Sequence, residues 1–351
     1  MNTVKPEAIA LFCLTPGGIA LAKRLSAVLP MTCFTSKALA TPGFSTVEDG
    51  FVRSMRHAFS RYSVLVFIGA AGIAVRALAP VVNDKFSDPA VIVIDERGQH
   101  VISLLSGHAG GANAMACYMA GVLGADPVIT TATDVNGLAA LDSLAFRLNA
   151  RMDGFRTAVK TINQMLVTGK RVGLWWDTAL REESSGCDTR GFIPVNALHT
   201  LPELHALVCV TLRAELPALA LPVYKLVPGR VVAGIGCRRD TPVRVVSMLL
   251  DRQMQVQQFD PLALRAIGSI SLKKDERALI QLAEQRQIPF ELFSADQLRQ
   301  HEHRFPASKF VRQTAGVGSV SAPVAWLMSA GQLVGETLRE QGVTITLGVS
   351  H

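Results

Sequence analysis

Leu104-Leu105-Ser106-Gly107-His108-Ala109-Gly110-Gly111-Ala112-Asn113-Ala114-Met115-Ala116 is the stretch that decides the fold. An apolar strand ends at Leu105, a turn with glycines at 107, 110 and 111 follows, and a small-residue helix begins. Glycine lets the backbone take a positive φ or approach a ligand closely. A helix start leaves N–H groups without intrahelical acceptors, which favours an anion there. His108 lies inside the turn, and imidazole is the side chain that titrates near neutrality without help. Strand, glycine turn and helix in this order form the unit of a parallel α/β sheet.

The same rhythm extends outward through the first 135 residues. Strands are predicted over 9–14, 31–35, 63–68, 90–95, 99–105 and 128–131, and helices over 19–29, 47–62, 69–80 and 109–123. Glu96-Arg97-Gly98 reads as a hairpin-type turn between two of the strands. An N-terminal domain, residues 1–136, is therefore expected to hold a doubly wound, mainly parallel sheet with ligands at the carboxyl ends of its strands. Between 137 and 221 the alternation weakens into a small middle domain. It has helices over 138–149 and 156–167, strands over 172–176 and 207–212, and a polar, mobile loop over 181–191. A C-terminal α/β domain, 222–351, opens with strands over 222–227 and 230–235 around a Pro228-Gly229 hairpin turn. Helices over 242–253, 274–286 and 322–329 alternate with strands over 266–270 and 290–293, and a strand pair around Glu340-Gln341-Gly342 closes the chain.

At 351 residues, 49% hydrophobic and 18% charged, the chain is folded and multidomain. Its longest apolar run, 64–75, is broken by Gly69 and Gly72 and is too short to span a bilayer as a helix. Lys5 and Glu7 precede the first strand without a secretory cleavage pattern, and cysteines 13, 33, 117, 187, 209 and 237 form no Cys-x-x-Cys pair. A cytoplasmic protein with reduced thiols and no membrane partner is expected. The net charge of +7 suits an acidic partner. Its basic residues are dispersed and Trp and Tyr number three each, so a small polyanion fits better than nucleic acid.

Several segments carry candidate chemistry. Ser106-Gly107-His108 is no hydrolase elbow, because Gly-x-Ser-x-Gly requires glycine at 104, where leucine stands. His108 is an acid/base candidate, with a histidine bonded to a backbone carbonyl as its structural alternative. Gly69-Ala70-Ala71-Gly72-Ile73-Ala74-Val75-Arg76 suits a carboxylate or phosphate at a helix start, or merely close helix–sheet packing. It lacks the dinucleotide fingerprint, and the chain has no P-loop. Thr130-Thr131-Ala132-Thr133-Asp134 ends a strand in oxygen-bearing side chains, with helix capping as the structural role of Asp134. Gly234-Ile235-Gly236-Cys237-Arg238-Arg239 reads as a carboxylate clamp between strand and helix, with Cys237 a small buried thiol. Lys273-Lys274 at a helix start oppose the helix dipole, as if awaiting an anion. His301-Glu302-His303 reads as solvated surface, and no closed metal-ligand set stands out.

In this order the glycine, threonine and arginine segments resemble the cobalt-precorrin-5A hydrolases, the cobalamin biosynthesis protein G family, over nearly the whole chain. The C-terminal part is similar to a stand-alone protein of the aerobic route to cobalamin. The resemblance implies as substrate a ring-contracted cobalt corrinoid whose ring A acetate is held as a δ-lactone. Opening the lactone and losing a two-carbon unit as acetaldehyde gives cobalt-precorrin-5B. Cobalt arrives with this substrate, so no protein cofactor is expected. The many carboxylates of such a disc suit glycine turns and basic clusters spread over two domains.

On this reading His108, Asp134 and Glu96 are the catalytic candidates. His108 serves as general base on the attacking water, and N–H groups around Gly110 and Gly111 hold the oxyanion. Gly72, Arg76, Lys85, Ser106, Gly107, Gly110, Gly111, Asn113, Thr131, Thr133, Gly236, Arg238 and Lys273 are the substrate-binding candidates. Neighbouring enzymes of the pathway are further expected partners. A corrinoid carrier without chemistry is the other class of function these residues allow.

Overall fold

The computed structural model describes residues 7–350, so the reading of Lys5 lies outside the described residues. Its first sheet contains β1 (Glu7–Cys13), β2 (Thr32–Thr35), β3 (Ser45–Thr46), β4 (Tyr62–Ile68), β5 (Ala90–Ile94), β6 (His100–Leu105) and β7 (Asp126–Val128). They lie in the order β3-β2-β1-β4-β5-β6-β7. Helices α1 (Pro16–Ser26), α2 (Phe51–Phe59), α3 (Ala71–Leu78) and α4 (Ala112–Leu123) connect them. Alternate residues of each strand face opposite ways. Leu11, Val66 and Ile92 pack with Leu25 of α1 and Met119 of α4, whereas Phe12, Phe67 and Val93 pack with Met55 of α2 and Leu78 of α3. Two buried faces make the sheet doubly wound, as its sequence predicted.

One pairing changes the meaning of this sheet. All neighbours are parallel except β5 and β6, which run antiparallel across the turn at residues 95–98, and β7 is parallel to β6. Strands β6 and β7 therefore end at the edge where β1, β4 and β5 begin. The sheet has two sets of carboxyl ends, on opposite edges.

Beyond it come α5 (Ala132–Val135), α6 (Leu141–Arg147) and α7 (Phe155–Val167). A second sheet joins β8 (Ala150–Arg151), β9 (Val172–Trp176), β10 (Ile193–Val195), β11 (Ala206–Val210) and β12 (Val223–Pro228) in the order β10-β9-β11-β12-β8. The third joins β13 (Val231–Cys237), β14 (Leu264–Ile270), β15 (Phe290–Phe293), β16 (Leu333–Glu340) and β17 (Val343–Val349) in the order β15-β14-β13-β17-β16. Its helices include α8 (Val243–Val256), α9 (Arg277–Arg286), α10 (Ala295–Arg299), α11 (Lys309–Ala315) and α12 (Ser321–Met328).

Three local readings are corrected. Pro228-Gly229 is no hairpin turn: β12 pairs in parallel with β11 in the second sheet, while β13 starts the third. Of the loop read over 181–191, the part up to Gly186 belongs to a 3₁₀ helix over 178–186, and its Glu183 pairs with Arg230 at 2.6 Å. Gly234 and Gly236 lie inside β13, and helix α8 begins only at Val243.

The chain forms two compact units. One comprises the residues up to Phe146 with 166–168 and 188–191, and the other comprises 147–165, 169–187 and the remainder. All six cysteines are free, and burial pushes Cys209 up to about 12 and Cys237 up to about 11, so neither is a ready nucleophile. Among the described residues no helix is long and apolar enough to cross a membrane.

Candidate active site

The glycine turn after β6 is folded onto the start of α4. Ser106 takes φ 57° and Gly111 φ 80°. The N–H groups of Ala112 and Asn113 donate back to the carbonyls of Ser106 (3.2 Å) and Gly107 (3.0 Å). Gly110 has no room for a side chain, since a Cβ would lie 2.5 Å from Ser106 Cβ and 3.2 Å from the Ala90 nitrogen. This tight fold fixes where His108 emerges.

His108 stands between two carboxylates. Its Nε2 lies 2.6 Å from Asp134 Oδ2 and its Nδ1 3.5 Å from Asp142 Oδ1. The His108 side chain is 13% exposed and that of Asp142 only 2%. Burial disfavours the charged ring, but hydrogen bonds to Asp142 and Asp134 and their negative charge outweigh it, holding His108 above the ordinary imidazole value. For Asp134 burial again opposes charge, yet bonds from Thr131, His108 and Asn113 keep its carboxyl below the usual range.

A polar web orients Asp134. Asn113 Nδ2 donates to Asp134 Oδ2 (3.1 Å) and to Thr131 Oγ1 (2.9 Å), and Ser103 Oγ donates to Asn113 Oδ1 (2.6 Å). The Thr131 hydroxyl donates to the same Asp134 oxygen, and Thr133 Oγ1 lies 3.2 Å from His108 Nε2. Residues 129–131, predicted as strand, leave the sheet after β7 to supply these groups. Lys85, reached by the chain just before β5, places Nζ 3.5 Å from Asp142 Oδ2.

His108 and Asp134 face a cleft of about 500 Å³. Asn113 and Ser143 complete its polar side, and Ala114, Cys117, Ile129, Val135 and Phe146 give it an apolar wall. Val135 is 68% exposed and Phe146 65%, so the wall is open to a ligand. The cleft thus joins an acid/base pair to a surface suited to a large, partly apolar molecule.

The turn of sequence 106–113, Thr131, Thr133 and Asp134 come together, while Lys85, expected to hold a substrate carboxylate, joins them through Asp142 and is not among the residues lining the cleft. Glu96 and the Gly72–Arg76 turn do not. They sit at the carboxyl ends of β5 and β4, across the sheet from His108, because β6 is reversed. Glu96 lies beside Gly17, and Arg76 folds back to donate Nη1 to the Gly72 carbonyl at 3.2 Å. Neither belongs to the cleft.

Gly236, Arg238 and Lys273 belong to the other unit and have structural partners there. A Cβ on Gly236 would lie 2.7 Å from Thr344 Oγ1, and the Arg238 N–H donates to the Gly342 carbonyl (3.0 Å). The anion that Lys273 was expected to await is Glu276, 2.6 Å away and buried. Asp142 escaped the sequence reading, although a lone acid within Leu138-Ala139-Ala140-Leu141-Asp142-Ser143-Leu144-Ala145 was a usable signal.

A histidine–carboxylate pair on an open, half-apolar cleft, carried by a doubly wound α/β sheet, is a geometry able to move a proton beside a bulky ligand. Three family models match in sequence: the cobalamin synthesis G N-terminal region at 53–134, the cobalamin biosynthesis central region at 139–224 and the cobalamin synthesis G C-terminus at 231–348. The chain belongs to the cobalamin synthesis G family. It is 69% identical to the cobalt-precorrin-5A hydrolase of Salmonella typhimurium strain LT2, over 100% of both chains. It is 30% identical to the cobalt-precorrin-5A hydrolase of Priestia megaterium, covering 83% of this chain and 79% of that one. Among solved structures, CobE, a protein of the cobalamin biosynthetic pathway, is 27% identical over 35% of this chain and 92% of its own, with a TM-score of 0.33.

Proposed function

We infer that this chain hydrolyses cobalt-precorrin-5A, opening the ring A δ-lactone and releasing the two-carbon unit as acetaldehyde to leave cobalt-precorrin-5B. The observation that carries this reading is the 69% identity over full length to a cobalt-precorrin-5A hydrolase. The cleft supplies chemistry consistent with it. Cobalt enters as part of the substrate, and the reaction is cytoplasmic.

The apolar wall of Val135 and Phe146 receives part of the corrinoid face, bringing the lactone edge to His108 and Asp134. Water adds to the lactone carbonyl carbon. Both ring nitrogens of His108 already face carboxylates, and Asp134 Oδ2 already takes His108, Thr131 and Asn113, so the water proton is accepted at Asp134 Oδ1 while the proton between Nε2 and Oδ2 stays with the pair. The Gly111 N–H is spent on the His108 carbonyl (3.0 Å). In the first turn of α4 the Ala114 N–H has no acceptor among the described residues, and Ala114 lines the cleft, so it takes the oxyanion in place of Gly111. Collapse of the opened lactone's alkoxide forms the acetaldehyde carbonyl, and the electron pair of the broken carbon–carbon bond passes to the corrin ring.

Incubating the purified protein with cobalt-precorrin-5A and assaying acetaldehyde tests the activity. Stoichiometric release is expected. A corrinoid absorbance change without acetaldehyde would instead establish a carrier. Phe146→Ala is expected to raise KM about tenfold, the loss of roughly 1.4 kcal/mol of apolar contact, with kcat within about twofold. An unchanged KM removes Phe146 from the substrate surface.

A further inference from the structure

Asp142 has no role in the chemistry described so far, yet it is the most buried charged group at the site. It comes from α6, while His108 comes from the turn after β6 and Asp134 from the segment after β7. Its Oδ1 lies 3.5 Å from His108 Nδ1 and its Oδ2 lies 3.5 Å from Lys85 Nζ. An ionised carboxylate accepts hydrogen bonds and cannot donate them. Two carboxylates flanking one imidazole therefore place a strict demand on its protons. With Nδ1–H directed at Asp142, a neutral ring would turn its Nε2 lone pair toward Asp134 Oδ2 at 2.6 Å. That contact is attractive only when a proton lies between the two atoms.

We propose that Asp142 is a positioning residue: it keeps a proton on His108 Nδ1 and so places the site's exchangeable proton between His108 Nε2 and Asp134, facing the cleft. Lys85 tunes this arrangement from outside. It is 58% exposed and partly neutralises Asp142, so solvent-side charge reaches His108 through a buried carboxylate. The groups facing the ring are Asp142 on α6 and Asp134 with Thr133 beyond β7. Lys85 stands behind Asp142, and Arg190, whose guanidinium is paired mainly with Asp188, also lies within the field of Asp134. The proposal rests on the assignment of His108 and Asp134 as the reacting pair.

The test is a pH titration of the free protein by proton–carbon correlation spectra, with the His108 signal identified by its loss in His108→Gln. Asp142→Asn keeps the shape and removes the charge, and is expected to lower the His108 midpoint by about one pH unit or more. Lys85→Gln removes the counter-ion of Asp142 and is expected to raise that midpoint. With substrate, the pH profile of kcat in Asp142→Asn moves down by the same amount while KM stays within about twofold. Unmoved midpoints in the folded variants overturn the proposal. Should Asp142→Asn fail to fold, Lys85→Gln decides alone, and the absence of an upward shift overturns it. The titration needs no substrate, so expected midpoints without acetaldehyde release would sink the hydrolase reading and leave only the placement of the proton standing, without its role in the reaction.

Discussion

His108→Asn lowers the rate of acetaldehyde release from bound substrate by about a thousandfold, within the range by which positioned acid/base groups accelerate reactions. Asparagine fills the turn and offers a donor to one carboxylate, but it neither holds nor moves a proton. Substrate affinity changes little, because the apolar wall and the remaining polar groups stay in place. Single-turnover measurements separate the two effects, and a variant within tenfold of the native rate would remove His108 from the chemistry. Stability adds a second signature. His108 is raised in the fold, so its contribution is complete below the unfolded imidazole value of about 6.5 and is lost as pH rises through the folded value. Asp134 is lowered, so its contribution is present above about 3.9 and is lost as pH falls through its folded value. The Tm gap between native protein and His108→Asn is therefore widest in mildly acidic solution and narrows as pH rises.

Gly234→Ala is expected to cost about 3 kcal/mol or more of stability, the upper end of overpacking effects. A Cβ at this position in β13 would stand 2.0 Å from the Ser321 carbonyl oxygen and 2.6 Å from the Ala325 nitrogen. Both atoms belong to the backbone of α12, so no side-chain rotation relieves the clash. Helix α12 packs on the third sheet through Val324 and Met328, against Val232, Ala266 and Ile270, and must lift as a whole. Gly121 provides the contrast. It lies exposed inside α4 with nothing within 4 Å of an added Cβ, and Gly121→Ala is expected to stabilise by about 0.5–1 kcal/mol. Thermal unfolding of the two alanine variants compares them directly. Equal melting temperatures would mean that α12 does not sit as close as the structure places it.

These glycines mark what a sequence does and does not disclose. The near-continuous apolar runs of β1, β4 and β5 and the glycine turn before α4 are local patterns, and they led to the doubly wound sheet and to His108. Gly234 and Gly236 carry the same local signature as an anion-binding turn, but the meaning of the first is set by α12 and that of the second by Thr344 of β17, both more than 80 residues later in the chain. The hairpin turn at Glu96 is legible as a local signal, and by reversing β6 it sends His108 and Glu96 to opposite edges. Pro228-Gly229 has strong turn chemistry, and pairing of β12 with β11 overrides it. Lys273 and Glu276 are three residues apart, so that pair could have been read directly. Asp142 could not be joined to His108 by spacing alone, since 33 residues, holding a strand and two helices, intervene.

The unit that holds the cleft is discontinuous along the chain, and this constrains how the gene can be divided. Residues 188–191 belong to it although 147–165 and 169–187 do not. From that returning segment the Arg190 carbonyl accepts the Ala139 N–H at 2.8 Å, and Gly191 abuts Leu138. Both contacts fall just ahead of α6, which carries Asp142 and Phe146. A fragment ending at Phe146 would contain the sheet, the glycine turn, His108 and Asp134, but would lack the clasp that seats the helix behind them. Expression libraries and chimaeras should therefore keep residues through Gly191 in one piece with the N-terminal sheet.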